Sequence, residues 1–169
     1  PVGTASTSYA TTTCFSCLPG QFGPTTKSTH CILCSAGEFS STPRSSACLS
    51  CAVGHFSEVG SSSCLPCKAG TYTSNVGSDT CTPCSAGMFA AGVGSSSCDA
   101  CPSGQFGRKF GQSRCEHAPC GQYSHGSPPY TSNPCPAGSF SLIGVGSCSL
   151  CPPGMFSSSE GTCQCNRCA

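Results

Sequence analysis

The sequence predicts a small disulfide-rich fold: tandem β-hairpin-like tiles stacked as an elongated solenoid rod, each tile a repeat of about 17 residues, with no helices of note. Three observations predict it. Twenty of the 169 residues are Cys, beyond the roughly 8–10% that marks a disulfide scaffold. Most of them stand in Cys-x-x-Cys pairs that recur at a nearly fixed interval. No helical periodicity survives for as many as ten residues anywhere in the chain.

The tile is read from its glycine. Gly3, Gly20, Gly37, Gly54, Gly70, Gly87, Gly104, Gly121, Gly138 and Gly154 follow one another at a step that varies by a single position. Two residues after each stands an aromatic: Phe22, Phe39, Phe56, Tyr72, Phe89, Phe106, Tyr123, Phe140 and Phe156, with Ala5 the exception. The glycine permits a left-handed backbone and a tight turn beside a crosslink. The aromatic segment, as in Gly70-Thr71-Tyr72-Thr73, reads as a strand of three or four residues. Runs such as Gly60-Ser61-Ser62-Ser63 and Gly77-Ser78-Asp79-Thr80 carry turn chemistry and close the tile. One tile is too small to fold alone. Stacking lets each aromatic cover its neighbour's crosslink, with nearest-neighbour contacts only.

Residues 1–169 form a single continuous array of about ten tiles, irregular at 115–135 and 163–168. At the first irregularity Ala118 and Ser132 occupy cysteine positions and Cys120 is extra. At the second, Cys165 and Cys168 are the regular pair and Cys163 is extra.

The paired absence bears on connectivity. If the second Cys of each pair bonds the first Cys of the next, Ala118 and Ser132 would have been partners, and a crosslink loses both ends together. Bonding within Cys-x-x-Cys would leave each long loop open. The expected bonds are Cys17–Cys31, Cys34–Cys48, Cys51–Cys64, Cys67–Cys81, Cys84–Cys98, Cys101–Cys115 and Cys151–Cys165. Each closes a loop of about 15 residues, worth roughly 3 kcal/mol in the chain-entropy account. Cys120, Cys135, Cys148 and Cys163 admit two schemes. Cys135–Cys148 follows the phase and strands Cys120 and Cys163. Cys120–Cys135 with Cys148–Cys163 strands none, and is the expectation.

The segments Cys98-Asp-Ala-Cys101-Pro-Ser-Gly104-Gln-Phe106 and Cys148-Ser-Leu-Cys151-Pro-Pro-Gly154-Met-Phe156 resemble the ephrin-receptor-like cysteine-rich repeat. They are also similar to the first half-module of tumour-necrosis-factor receptors. The resemblance covers nearly the whole chain. It implies that the Cys before x-x-Gly-x-aromatic closes onto a Cys most of one tile later, in accord with the pairing above. Such repeats occur in receptor ectodomains, matrix proteins and large surface or flagellar-hair proteins of protists. The second half of the tumour-necrosis-factor-receptor module is missing from most of the chain, and a many-fold array is closer to structural use.

Composition excludes other classes. Charged residues are 8% of the chain, against about 25% in a typical domain. Net charge is +1 and only Arg108 and Lys109 are adjacent cations, so no phosphate-binding stripe exists for nucleic acid. No apolar run approaches the ~18 residues of a membrane span. Cysteines at this density belong to an oxidising compartment, secreted or at the cell surface. Zinc ribbons use a similar spacing, but zinc requires no Gly and aromatic at fixed phase. A redox Cys-x-x-Cys needs a helix N-terminus, and none is predicted. His30, His55, His117 and His125 fall in separate tiles; His117 and His125 flank Cys120 but read as solvated loop residues. No nucleophile–base set or carboxylate pair can be named, so the chain is not read as an enzyme, and no cofactor is expected.

The Ser/Thr runs Thr11, Thr12, Thr13; Ser61, Ser62, Ser63; and Ser95, Ser96, Ser97 are O-glycosylation candidates, because a chain with so little charge must stay soluble. No Asn-x-Ser/Thr sequon occurs. Cys14 and Cys168 have no in-phase partner and are expected to lie at junctions between consecutive units, joining copies head to tail or continuing a longer array. The functional expectation is an extracellular structural protein that assembles with itself into a filament, hair, coat or matrix. The alternative is a receptor or adhesin ectodomain that binds a protein ligand.

The intact mass of native material separates these chemistries. It is expected to fall about two units per crosslink below the reduced polypeptide and to rise by added sugar. Bound zinc on metal analysis would overturn the crosslink reading, and a mass equal to the bare oxidised chain would overturn the glycan reading.

Overall fold

The computed structural model describes residues 1–6, 14–126 and 129–168. The chain separates into two compact units. The first comprises Pro1–Lys68, Tyr72–Thr82 and Val93–Ser97; the second comprises Ala69–Thr71, Pro83–Gly92 and Cys98–Ala169. All regular structure among the described residues is β, arranged as ten two-stranded pieces with no helix.

Every strand is two residues long. The first strand of a hairpin is the residue after the anchor glycine with the aromatic; the second is the x-x of the next Cys-x-x-Cys. In the first unit Gln21–Phe22 pairs with Ile32–Leu33 and Glu38–Phe39 with Leu49–Ser50, both antiparallel. In the second, Gln105–Phe106 pairs with Glu116–His117 and Ser139–Phe140 with Ser149–Leu150 in the same sense. The hairpin is pinned at its base by the anchor carbonyl. Gly20 C=O accepts from Cys34 N–H at 2.9 Å, and Gly37 C=O from Cys51 N–H at 2.8 Å. Strands are shorter than the three or four residues expected, for a local reason. The residue after the aromatic turns its amide out of the hairpin: Thr73 N–H donates to Ser95 C=O at 3.2 Å.

Crosslinks, not rings, fill the centre. The second-position cysteines Cys17, Cys34, Cys51, Cys67, Cys84 and Cys135 are fully buried. Beside them sits the residue three after the anchor, always small: Ser40, Ser57 and Thr73 in the first unit, Ala90, Ser124, Ser141 and Ser157 in the second, all buried. Its neighbour is the sulfur of its own tile. A Cβ placed on Gly23 would lie 3.3 Å from Cys17 Sγ, and one on Gly107 3.3 Å from Cys101 Sγ. Ser40, Thr73 and Ser157 satisfy their hydroxyls within their own tile, through Ser45, Ser78 and Thr162, whereas three others reach the preceding tile. Ser57 Oγ donates to Glu38 C=O at 3.0 Å, Ser124 Oγ to Gln105 C=O at 3.0 Å and Ser141 Oγ to Gln122 C=O at 2.9 Å. A large apolar side chain at this position would leave no room for the sulfur. Most aromatics are only half-buried; Phe106 is buried and Phe156 exposed.

Within each unit, backbone ladders join consecutive tiles. Gly37 N–H donates to Ser57 C=O at 2.9 Å and Gly121 N–H to Ser141 C=O at 2.9 Å; Gly60 N–H donates to Cys34 C=O and Gly161 N–H to Cys135 C=O, each at 2.8 Å. Contacts also reach one tile further than the nearest-neighbour expectation. A side chain on Gly37 would run into the Gly77 carbonyl, and one on Gly121 into the Gly161 carbonyl. The anchor is therefore glycine twice over: its φ is +83° at Gly37, and a backbone two tiles on occupies the space of its Cβ. Arg44 is the one described non-glycine residue with a positive φ, at 62°.

These placements predict a graded series. Gly37→Ala combines a left-handed backbone with a backbone clash and is expected to cost about 3 kcal/mol or more. Gly154→Ala meets nothing within 4 Å and carries only the φ penalty, on the order of 1 kcal/mol. Gly92→Ala has neither and should stay within about 0.5 kcal/mol of the parent. Arg44→Gly relieves the one left-handed side chain and should stabilise by up to about 1 kcal/mol. Urea unfolding without reductant measures the order; equal effects for Gly37→Ala and Gly154→Ala would contradict the two-tile contact.

Candidate functional site

Eight crosslinks follow one rule, second cysteine to the first cysteine of the next tile. They are Cys17–Cys31, Cys34–Cys48, Cys51–Cys64, Cys67–Cys81, Cys84–Cys98, Cys101–Cys115, Cys135–Cys148 and Cys151–Cys165. Their Cα atoms are 5.5–5.8 Å apart. The ninth is Cys120–Cys163, with Cα atoms 4.9 Å apart. The expected scheme Cys120–Cys135 with Cys148–Cys163 is therefore incorrect. The in-phase bond Cys135–Cys148 forms, and the two cysteines it was expected to strand bond each other.

The physical reason is the two-tile contact. Cys120 precedes Gly121, whose missing Cβ makes way for Gly161; Cys163 stands two positions after Gly161. One tile earlier the same relation places Ser103 Oγ against Gly146, where a Cβ would collide with it. Adjacent-tile logic could not reveal this pairing, because the partners are 43 residues apart. The tile without its own crosslink keeps its backbone. Ala118 is fully buried; its N–H donates to Gly104 C=O at 2.8 Å and its C=O accepts from Gly144 N–H at 2.9 Å. Ser132 Oγ donates instead to Gln122 Oε1 at 2.6 Å.

The remaining candidates separate by exposure. Ser62, Ser63, Ser96 and Ser97 are exposed, whereas Ser61 and Ser95 are half-buried. The last two lend their carbonyls to the ladder, accepting from Ser40 and Thr73 N–H. Thr11, Thr12 and Thr13 lie outside the described residues. Cys14 and Cys168 are exposed and outside the nine disulfides. His117 lays its ring against Gly144, and the nearby Cys120 is in a disulfide. No group of three or more His, Cys, Asp or Glu among the described residues is placed to hold a metal ion. No helix among them is long and apolar enough to cross a membrane.

A row of apolar side chains is not evident from the cysteine pattern. The first x of Cys-x-x-Cys is Phe15, Ile32, Leu49 and Leu65 in four successive hairpins of the first unit, each 40–62% exposed. In the second unit the same position holds Asp99, Glu116, Asn133, Ser149 and Asn166. The signal that reveals it is an apolar-to-polar switch at one phase of the repeat. The cysteines on either side obscure that switch.

A family model described as "Tyrosine-protein kinase ephrin type A/B receptor-like" matches three overlapping windows, residues 37–80, 54–97 and 70–115. Over that stretch the chain is a cysteine-rich repeat related to the ephrin-receptor-like superfamily. The windows begin at Gly37, Gly54 and Gly70, three consecutive anchor glycines, so the match recognises the repeat rather than one domain boundary. No curated protein matches the chain. The repeat is of an extracellular, disulfide-stabilised type.

Proposed function

We propose that this chain is an extracellular binding module, a segment of a receptor or adhesin ectodomain that engages a protein ligand along its apolar row. The observation that carries this reading is the row itself: Phe15, Ile32, Leu49 and Leu65 stand exposed at one repeat position, and that position turns polar from Thr82 onward, still within the first unit. Exposed apolar side chains gathered in register mark interaction surfaces. They lie in a lattice of crosslinks that orders them before any ligand arrives, so little conformational entropy is lost on binding. The likeness to ephrin-receptor-like repeats supports a receptor context.

A second reading rests on different residues. Cys14 is a first-position and Cys168 a second-position cysteine, and both are exposed thiols. A bond between Cys168 of one copy and Cys14 of the next would continue the repeat in register and build a filament or matrix, with exposed hydroxyls at Ser62, Ser63, Ser96 and Ser97 carrying O-linked sugar.

A photo-crosslinking residue at Leu49, compared with one at Ser149, tests both on the surface or matrix of the source organism. The binding reading expects a saturable crosslink to a different protein at Leu49, absent at Ser149, and weakened about ten-fold or more by Ile32→Ser with Leu65→Ser. Equal labelling at both positions would sink it. Crosslinks solely to this chain, with a Cys14–Cys168 intermolecular disulfide on peptide mapping, would establish the assembly reading instead.

A further inference from the structure

The nine crosslinks differ in access. Each of the eight tile crosslinks contains a buried cysteine: Cys17, Cys34, Cys51, Cys67, Cys84 and Cys135 are fully buried, and Cys101 and Cys165 are 5% and 8% exposed. Cys120–Cys163 has none. Cys120 is half-buried and Cys163 is exposed. Thiol–disulfide exchange requires a thiolate to reach a sulfur, so access sorts crosslinks of one chain by rate.

The same crosslink stands where its loss matters locally. Ala118 and Ser132 replace the tile crosslink that would have closed this loop. The stretch from Cys115 to Cys135 is consequently bridged by no disulfide other than the one at Cys120. Its hairpin, Gln122–Tyr123 with Asn133–Pro134, keeps the two-residue pairing and the Ser132–Gln122 hydrogen bond. With so few residues paired, such a hairpin is marginal alone, and without a covalent tie it rests on its bonds to the neighbouring tiles, Gly104 N–H to Ser124 C=O and Gly121 N–H to Ser141 C=O.

We propose that Cys120–Cys163 is a redox-operated latch, which extracellular dithiol reductants of the oxidoreductase type open while the eight tile crosslinks stay closed. The reductant thiolate attacks Cys163 Sγ, the S–S bond breaks, and Cys120 leaves as a thiolate that takes up a proton. The second thiol of the reductant then displaces Cys163 from the mixed disulfide. Two electrons pass to the latch, two protein thiols form, and the reductant becomes its own disulfide. Opening loosens the hairpin of Gln122–Tyr123 with Asn133–Pro134 and leaves the backbone bonds of Ala118 and Cys135 in place. The latch acts in the second unit and does not depend on what the apolar row of the first unit binds.

Graded dithiothreitol without denaturant, followed by alkylation and peptide mapping, tests the order. Cys14 and Cys168 should label without reductant. Cys120 and Cys163 should label next, about ten-fold or more faster than any other cysteine. Limited proteolysis of that partly reduced material should cut within 116–134 and nowhere else new. The double variant Cys120→Ser, Cys163→Ser should show the same cuts with no reductant. Prior opening of any tile crosslink, simultaneous opening of all nine, or a double variant as resistant over 116–134 as the parent would overturn the latch. Should the variant fail to fold, the labelling order of the unaltered chain decides alone.

Discussion

The structure depends on the second cysteine of each pair. Its sulfur ties the loop that follows, its N–H holds the preceding hairpin through the anchor carbonyl, and its C=O receives the closing residue of the next turn. At Cys34 these are the Cys48 sulfur, Gly20 and Gly60. Three bonds on one buried residue do what a hydrophobic nucleus does elsewhere. The chain is poor in large buried side chains; among those buried below 2% exposure the largest are cysteines and serines. Loop-closure entropy and satisfied backbone groups carry the stability. Ala118 is instructive, because it keeps both backbone bonds and the burial after the sulfur is gone.

The second constraint is the approach of backbones two tiles apart. It excludes a Cβ at the anchors Gly20, Gly37, Gly54, Gly70, Gly104 and Gly121, where the turn alone would admit Asn; at Gly138 and Gly154 the left-handed backbone is the only demand. It also brings Cys120 and Cys163 into bonding range across a sequence separation of 43, at the tile that lost its own crosslink. A lost local staple is thus offset by a longer one.

Much of this is legible in the sequence. The period, the anchor glycine, the all-β tile and the regular crosslinks follow from cysteine phase and turn chemistry. The second strand is not, since Asp99–Ala100 and Glu116–His117 carry no strand pattern and pair only because the crosslink and the anchor carbonyl hold them. The small residue after the aromatic is hidden too, because Ser, Thr, Ala and Gly at one position read as turn composition until the neighbouring sulfur is seen. The pairing of Cys120 with Cys163 stays out of reach while sequence proximity stands for spatial proximity. Of the candidate surface, the apolar row is present in the letters at one repeat phase but acquires meaning only through exposure.

Stability is expected to be local, held by each crosslink and, among the described residues, by contacts reaching no further than two tiles. Residue-resolved hydrogen exchange on the double variant Cys34→Ser, Cys48→Ser tests that most directly. Local stability predicts lost protection at the amides of Gly20, Cys34, Cys51 and Gly60, with native protection retained at Cys135, Gly144 and Gly161. A uniform loss across the chain, as one global core would give, would contradict it.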